Sequence, residues 1–190
     1  MITRVAEAQH LVQQGRADPT KAFPKIRALA ASDSWQEREV AATALVEISK
    51  KQPEAVVREM RQWATDTDAN IRRTASEGLR HVARNSPATV VPVLELLHSD
   101  PELYVRKSVG NILRNASNKH PDFVIEICQR WRRHADSLTN WTIKDGLKKL
   151  IKTRPKVAQK CARPAAGDPC FGGAPSARGV RSARVRRSCR

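Results

Sequence analysis

Lysine and arginine return at one fixed interval along this chain. Arg80, Arg114 and Lys148 stand 34 residues apart, with Val46 one interval earlier; Lys50, Arg84, Asn118 and Lys152 make a second row. Arg73 and Lys107 make a third, with Glu39 before them and Trp141 after, and Lys144 falls in the row of Ala42, Ser76 and Gly110. Cations spaced in this way suit a polyanion, because each can replace a counterion along a phosphate backbone. The plainer reading of any one surface Lys or Arg is a solvated side chain. Three aligned rows on one face favour the polyanion. The formal net charge is +16, and residues 161–190 supply only seven Arg against one Asp, so residues 1–160 are basic by themselves at +10.

Other chemistries find less support. Cys128, Cys161, Cys170 and Cys189 contain no CxxC pair and no histidine at metal-ligand spacing, so no metal is expected. The five histidines form no pattern with Ser or Cys that would serve a nucleophilic triad. No glycine-rich phosphate loop occurs, and no cofactor is expected. There is no run of about 18 apolar residues to cross a membrane, and the opening MITRVAEAQHLVQQG lacks the apolar stretch of a secretory signal. The cytoplasm is the expected location, and a monomer the expected state.

The elements that must position the basic rows follow from the same interval. Pro19, Pro53, Pro87, Pro121 and Pro155 are each 34 residues apart. The first four are followed by apolar residues at +3, +4, +7 and +10, one face of an α-helix: Ala22, Phe23, Ile26 and Leu29 in the first, Val124, Ile125, Cys128 and Trp131 in the fourth. Proline suits the first helical turn, whose N–H groups have no intrahelical partner, and Asp18 and Ser86 precede two of the prolines as candidate N-caps. A second helix follows in each unit, marked by the column Leu11, Leu45, Leu79, Leu113 and Leu147. Ala44, Gly78 and Gly146 lie beside it, small enough to let neighbouring helices approach closely. Trp63 and Trp131 fall on the apolar template and read as core, whereas Trp35 and Trp141 open the second helices.

Asp33, Asp66 and Asp100 fall between the paired helices, and Arg38, Arg72 and Arg106 follow them, as in the Asp–Arg ladder of HEAT repeats. The tetratricopeptide signature is absent, and Pro24 and Pro92 share one interior position of the first helix, where HEAT units often carry a proline. The expected fold is therefore all-α, a HEAT-like solenoid over residues 1–160, in which stacked units share a core that none could bury alone. Aromatics are 4% of the chain, so that core is built from Ala, Val, Leu and Ile. Residues 161–190 contain no Lys, Glu or Leu and are rich in Gly, Pro, Ser and Arg, a composition expected to stay disordered. This basic tail reads either as a nucleic-acid-binding arm or as an accidental end such as a slipped coding frame.

Three stretches carry a more specific likeness: RQWATDTDANIRRTASEGLR, then LELLHSDPELYVRKSVGNILRNASNKHPDFVIEICQRW, then NWTIKDGLKKLIK. Residues 54–154 resemble the DNA alkylation repair family of AlkC and AlkD type, with the nearer likeness to the AlkC branch. The resemblance implies a concave face that binds double-stranded DNA and, in active members, removal of cationic alkylated purines by an acidic residue helped by nearby aromatics. On that resemblance Glu77 of the SEG element is the candidate catalytic acid, and Glu39 a second acidic position. Arg73, Arg80, Arg84, Lys107, Arg114, Lys144, Lys148, Lys152 and Trp141 are the expected DNA contacts. Where AlkC-like sequences carry Asn-Asp, this chain has Arg114 and Asn115, which removes a carboxylate at that point. The rival expectation is a HEAT scaffold without catalysis that binds an acidic protein or a structured nucleic acid.

Overall fold

The computed structural model describes residues 2–156, and every regular element among them is a helix. A lone helix α1 (Ile2–Ala17) is followed by four helix pairs. The first helices of the pairs are α2 (Pro19–Ala30), α4 (Pro53–Trp63), α7 (Pro87–Leu97) and α9 (Pro121–Arg132), each starting at one of the periodic prolines. The second helices are α3 (Trp35–Ser49), the interrupted α5 (Ala69–Glu77) and α6 (Arg80–Asn85), α8 (Leu103–Ala116) and α10 (Ser137–Thr153). The break between α5 and α6 falls at Gly78–Leu79. The proposed basic tail, residues 161–190, lies outside the described residues.

Caps explain where several of these helices begin. Asp18 accepts from the Thr20 N–H at 3.2 Å, Asp68 from the Asn70 N–H at 2.7 Å, and Asp136 from the Thr139 N–H at 2.7 Å. Ser86, expected to do the same for α7, makes no side-chain cap bond, and that helix starts on its proline alone.

The leucine column forms the spine of the core: Leu45, Leu79, Leu113 and Leu147 are fully buried and Leu11 is almost so. Trp63 and Trp131 are buried, as their template position requires, and so is Cys128. Glycine lets the second helices meet closely. A Cβ on Gly78 would stand 2.8 Å from Leu45, and one on Gly146 would stand 2.6 Å from Leu113. Serines add a polar pin at the next level, with the Ser76 hydroxyl donating to that of Ser108 across α5 and α8.

The Asp–Arg ladder exists, with unequal rungs. Arg72 donates to both carboxylate oxygens of Asp100 at 2.6 and 3.1 Å, a largely buried pair between successive units. It also donates to the carbonyls of Asp66 and Thr67 in its own turn. Arg38 and Arg106 do only the second job: Arg38 binds the carbonyls of Ser32 and Asp33, and Arg106 those of Asp100 and Pro101. Asp66 is met instead by Arg27 from the preceding first helix. The arginine column therefore fastens each turn to its own second helix, and one rung joins units directly.

Candidate nucleic-acid interface

The solvent side of the second helices carries the candidate residues. Between α3 and α5 it sinks into a cavity of about 70 Å³ lined by Trp35, Arg38, Glu39, Arg73, Thr74 and Glu77. Glu39 and Glu77 come from adjacent units and meet here although 38 positions separate them in sequence. Glu77 is largely covered and accepts from Arg73 Nε at 3.1 Å, one helical turn away. Glu39 is more open and lies 3.7 Å from Arg80 Nη2, while Arg80 Nε donates to the Glu77 carbonyl at 3.1 Å. Each carboxylate thus has an arginine partner. Trp35, 66% exposed, stands at the rim. On its other side the space widens into a groove of about 720 Å³ between α1 and α3, bordered by Val12, Val40, Thr43, Glu39 and Glu47.

The opposite end of the same face has a different character. Lys144, Lys148 and Lys152 are exposed along α10. Lys148 Nζ lies 2.6 Å from Asp145 Oδ1, and Arg114 of α8 pairs with the other oxygen of that carboxylate while also donating to the Asp145 carbonyl at 3.1 Å. The side chains of Arg84, Lys144 and Lys152 have no hydrogen bond or ion pair among the described residues. Lys107 Nζ sits 4.8 Å from the centre of the Tyr104 ring, and Arg73 Cζ lies 5.8 Å from it. Trp141 is half-buried under the Arg106 guanidinium at 5.5 Å, so it packs on a ladder arginine as well as bordering this face. Asn115 donates to Asn111 at 3.4 Å on its own helix.

The nine expected contacts therefore share one layer but divide by partner. Arg73, Arg80, Arg114 and Lys148 are tied to carboxylates, whereas Arg84, Lys107, Lys144 and Lys152 are not. Two residues escaped the sequence reading. Tyr104 is 62% exposed at a position held by Gln36 and Asn70 in earlier units, and a lone aromatic in a polar row was the available signal. Asp145 lies two intervals of 34 beyond Glu77, so the same register that exposed the cations also placed this carboxylate. Among the described residues no cluster of His, Cys, Asp or Glu could hold a metal ion, and no helix is long and apolar enough to cross a membrane.

Comparison with known proteins adds a family. The profile described as "DNA alkylation repair enzyme" matches residues 4–150. Among solved structures, the alkylpurine DNA glycosylase AlkC of Pseudomonas fluorescens, bound to DNA containing an abasic site analog, superposes with a TM-score of 0.68 at 24% identity. That match covers 81% of this chain and 44% of AlkC, so this chain spans less than half the length of that relative. AlkD2 from Streptococcus mutans matches with a TM-score of 0.60 at 28% identity, covering 70% of this chain and 67% of that one. The protein smu.31 from Streptococcus mutans UA159 gives the same score and identity, with 70% and 69% covered. No protein of curated function matches the chain.

Proposed function

From the premise that the chain belongs to the DNA alkylation repair enzyme family, we propose that its second-helix face binds double-stranded DNA and releases alkylated purines. Glu77 and Glu39 are the groups that serve the reacting sugar. The observation that carries this reading is their convergence in one cavity, beside an exposed tryptophan and at one end of a basic face.

The chemistry suits a carboxylate pair. In an alkylated, cationic purine the bond from C1′ to the base nitrogen breaks with both electrons going to nitrogen. The base leaves neutral and the sugar keeps the positive charge. A carboxylate next to C1′ stabilises that charge as it develops. Water then adds to C1′ and gives its proton to a carboxylate acting as base. Glu77, held by Arg73, suits the fixed electrostatic role, and the more exposed Glu39 suits the handling of water.

The test is duplex binding at two salt concentrations, with and without a 7-methylguanine-type lesion, with base release followed in the same samples. Salt-sensitive binding with release is the expected outcome. Release that persists in the Glu77→Gln, Glu39→Gln double variant would remove these carboxylates from the chemistry. A second reading is a DNA-binding relative without catalysis, favoured by Asn115 where AlkC-like sequences carry an aspartate. Its outcome is binding without release. An acidic protein as partner would be supported by its recovery in high yield with no duplex affinity.

A further inference from the structure

We propose that α10 binds phosphates along its own axis. Lys144, Lys148 and Lys152 take successive phosphates of one strand, Asp145 gives up Lys148 to its phosphate, and Arg114 stays behind as a strut between units. The proposal rests on the duplex-binding reading above and departs from the stripes running across units that the sequence suggests.

Spacing is the first argument. The three lysines are at i, i+4 and i+8, all exposed and on one side of one helix. With a rise of about 1.5 Å per residue, successive members stand about 6 Å apart along the axis. Phosphates follow one another at about 7 Å along a strand, so neighbouring lysines can serve neighbouring phosphates. The rows across units advance by about 10 Å per step, the usual distance between packed helices, and fall out of step with a strand.

The second argument is the unequal hold that Asp145 has on its two cations. Its side chain is 8% exposed. Gly110 explains the seat: a Cβ there would collide with Asp145 Oδ2, so the missing side chain lets the carboxylate rest on α8. Arg114 reaches both the carboxylate and the main-chain carbonyl of Asp145, joining α8 to α10. If Arg114 left for a phosphate, a link between helices would break and a covered carboxylate would lose its partner, which is costly. Lys148 lies three residues away on the same helix, with its side chain 63% exposed. Its ammonium stays in water and gives up less than the guanidinium would on leaving the carboxylate, and removing the lysine leaves the Arg114 contacts in place. Asp145 is therefore a fixed anion under one mobile and one immobile cation. Arg80, the third member of the cross-unit row, is likewise engaged by Glu39 and the Glu77 carbonyl. That row offers a strand one releasable cation, Lys148.

Salt titrations of duplex binding separate the two arrangements. Lys144→Ala, Lys148→Ala and Lys152→Ala should each flatten the log–log salt slope by about 0.9. Arg114→Ala should leave the slope nearly unchanged and lower Tm by several degrees instead. Asp145→Asn should tighten binding roughly two- to fivefold at low salt, because Lys148 is released from its carboxylate. Should that variant fail to fold, the slopes of the Arg114 and lysine variants decide without it. An Arg114→Ala slope loss equal to that of Lys148→Ala would overturn the strut. No loss from Lys144 and Lys152 would overturn the axial arrangement. Both failures would appear against intact wild-type binding, whereas a wild-type chain that binds no duplex would sink the nucleic-acid reading and this proposal with it.

Discussion

The two ends of the second-helix face are built from the same repeat and present opposite surfaces. Toward the N-terminus, Glu39, Glu47 and Glu77 sit among Trp35, Val12 and Val40 around open space. Toward the C-terminus, Lys144, Lys148 and Lys152 line an exposed helix whose one carboxylate on this face, Asp145, is covered. A 34-residue register fixes where each side chain points and leaves its charge free to vary. On the proposed function, one surface holds a strand at one end and a cationic sugar at the other without any change of backbone. Separation also helps energetically, since carboxylates placed under a phosphate-binding helix would repel the duplex.

The sharpest break of this comparison is chemical. Glu77→Gln should slow base release by about 100-fold or more, the scale of a lost charge-stabilising or acid–base group, with duplex affinity held within about twofold. Glu39→Gln should give a smaller loss of the same kind. Single-turnover base release set beside equilibrium binding measures both. If Lys148→Ala lowered single-turnover release at saturating protein as much as Glu77→Gln does, the division between a reacting end and a gripping end would fail.

Next in size is the mechanical link between the ends. Arg72 and Asp100 form a largely buried pair in the middle of the stack, and Asp100→Ala leaves the guanidinium without its carboxylate. A loss of about 3–5 kcal/mol of unfolding free energy is expected in urea titrations. Arg38→Ala removes contacts within a single turn and should cost less. Equal costs would mean that the ladder works turn by turn and does not couple the units.

Packing is the third. Gly78→Ala and Gly146→Ala each push a methyl into a leucine, at 2.8 and 2.6 Å, and should destabilise by about 1–3 kcal/mol. Gly146 lies on α10, the helix proposed to bind phosphates. Its variant should also weaken duplex binding measured below the unfolding transition, whereas Gly78→Ala should disturb base release more. Identical profiles for the two would show that strain spreads through the whole stack and does not stay with its own unit.

The architecture was legible because HEAT-like packing repeats its demands. A proline start, an apolar template and a leucine column recur every 34 residues, and each sets one helix and the face it buries. Four of the periodic prolines begin helices where expected. The nearness of Glu39 and Glu77 follows from the same register, since Glu39 stands one interval before Arg73 and Arg73 one turn before Glu77; the role proposed for them was legible only by resemblance. The pairing of the cations was not legible. Register puts Arg114 and Lys148 in one row, but their shared hold on Asp145 depends on the depth of α10 against Gly110, which only the packed structure supplies. Ser86 failed as a cap for a related reason: capping is a matter of local dihedral angles, and those of Ser86 (φ −140°, ψ 69°) leave the extended region that Asp18 keeps (φ −146°, ψ 96°), although a proline follows both.

Acid should loosen the two ends in sequence, the smallest of the expected effects. His98 of α7's C-terminal edge lies against Trp131 at 4.6 Å and 3.1 Å from the Thr139 hydroxyl, next to Glu95 and Asp136. Burial pushes its imidazole below the usual 6.5, and those two carboxylates only partly offset this. The folded state therefore prefers neutral His98. Its contribution is complete above pH 6.5 and is lost as the pH falls below that value and the unfolded chain takes up the proton more readily. At the other end, burial alone would raise the Asp66 carboxyl. Hydrogen bonds from the Asp68 N–H and Arg27, with the charges of Arg27 and Arg72, outweigh that and hold it below 3.8, so its contribution survives until the pH drops under that value. Between these limits the α7–α10 contact should weaken while the α4–α5 turn stays closed. Amide exchange compared at about pH 7.5 and about pH 5.5 reads the order directly. Lower protection near Thr139 and Thr142 alone, with rates taken relative to the intrinsic rate at each pH and the effect abolished by His98→Gln, is the expected pattern. Opening first at the Asp66 turn would mean that the acidic end, and not the basic one, is the labile half of the stack.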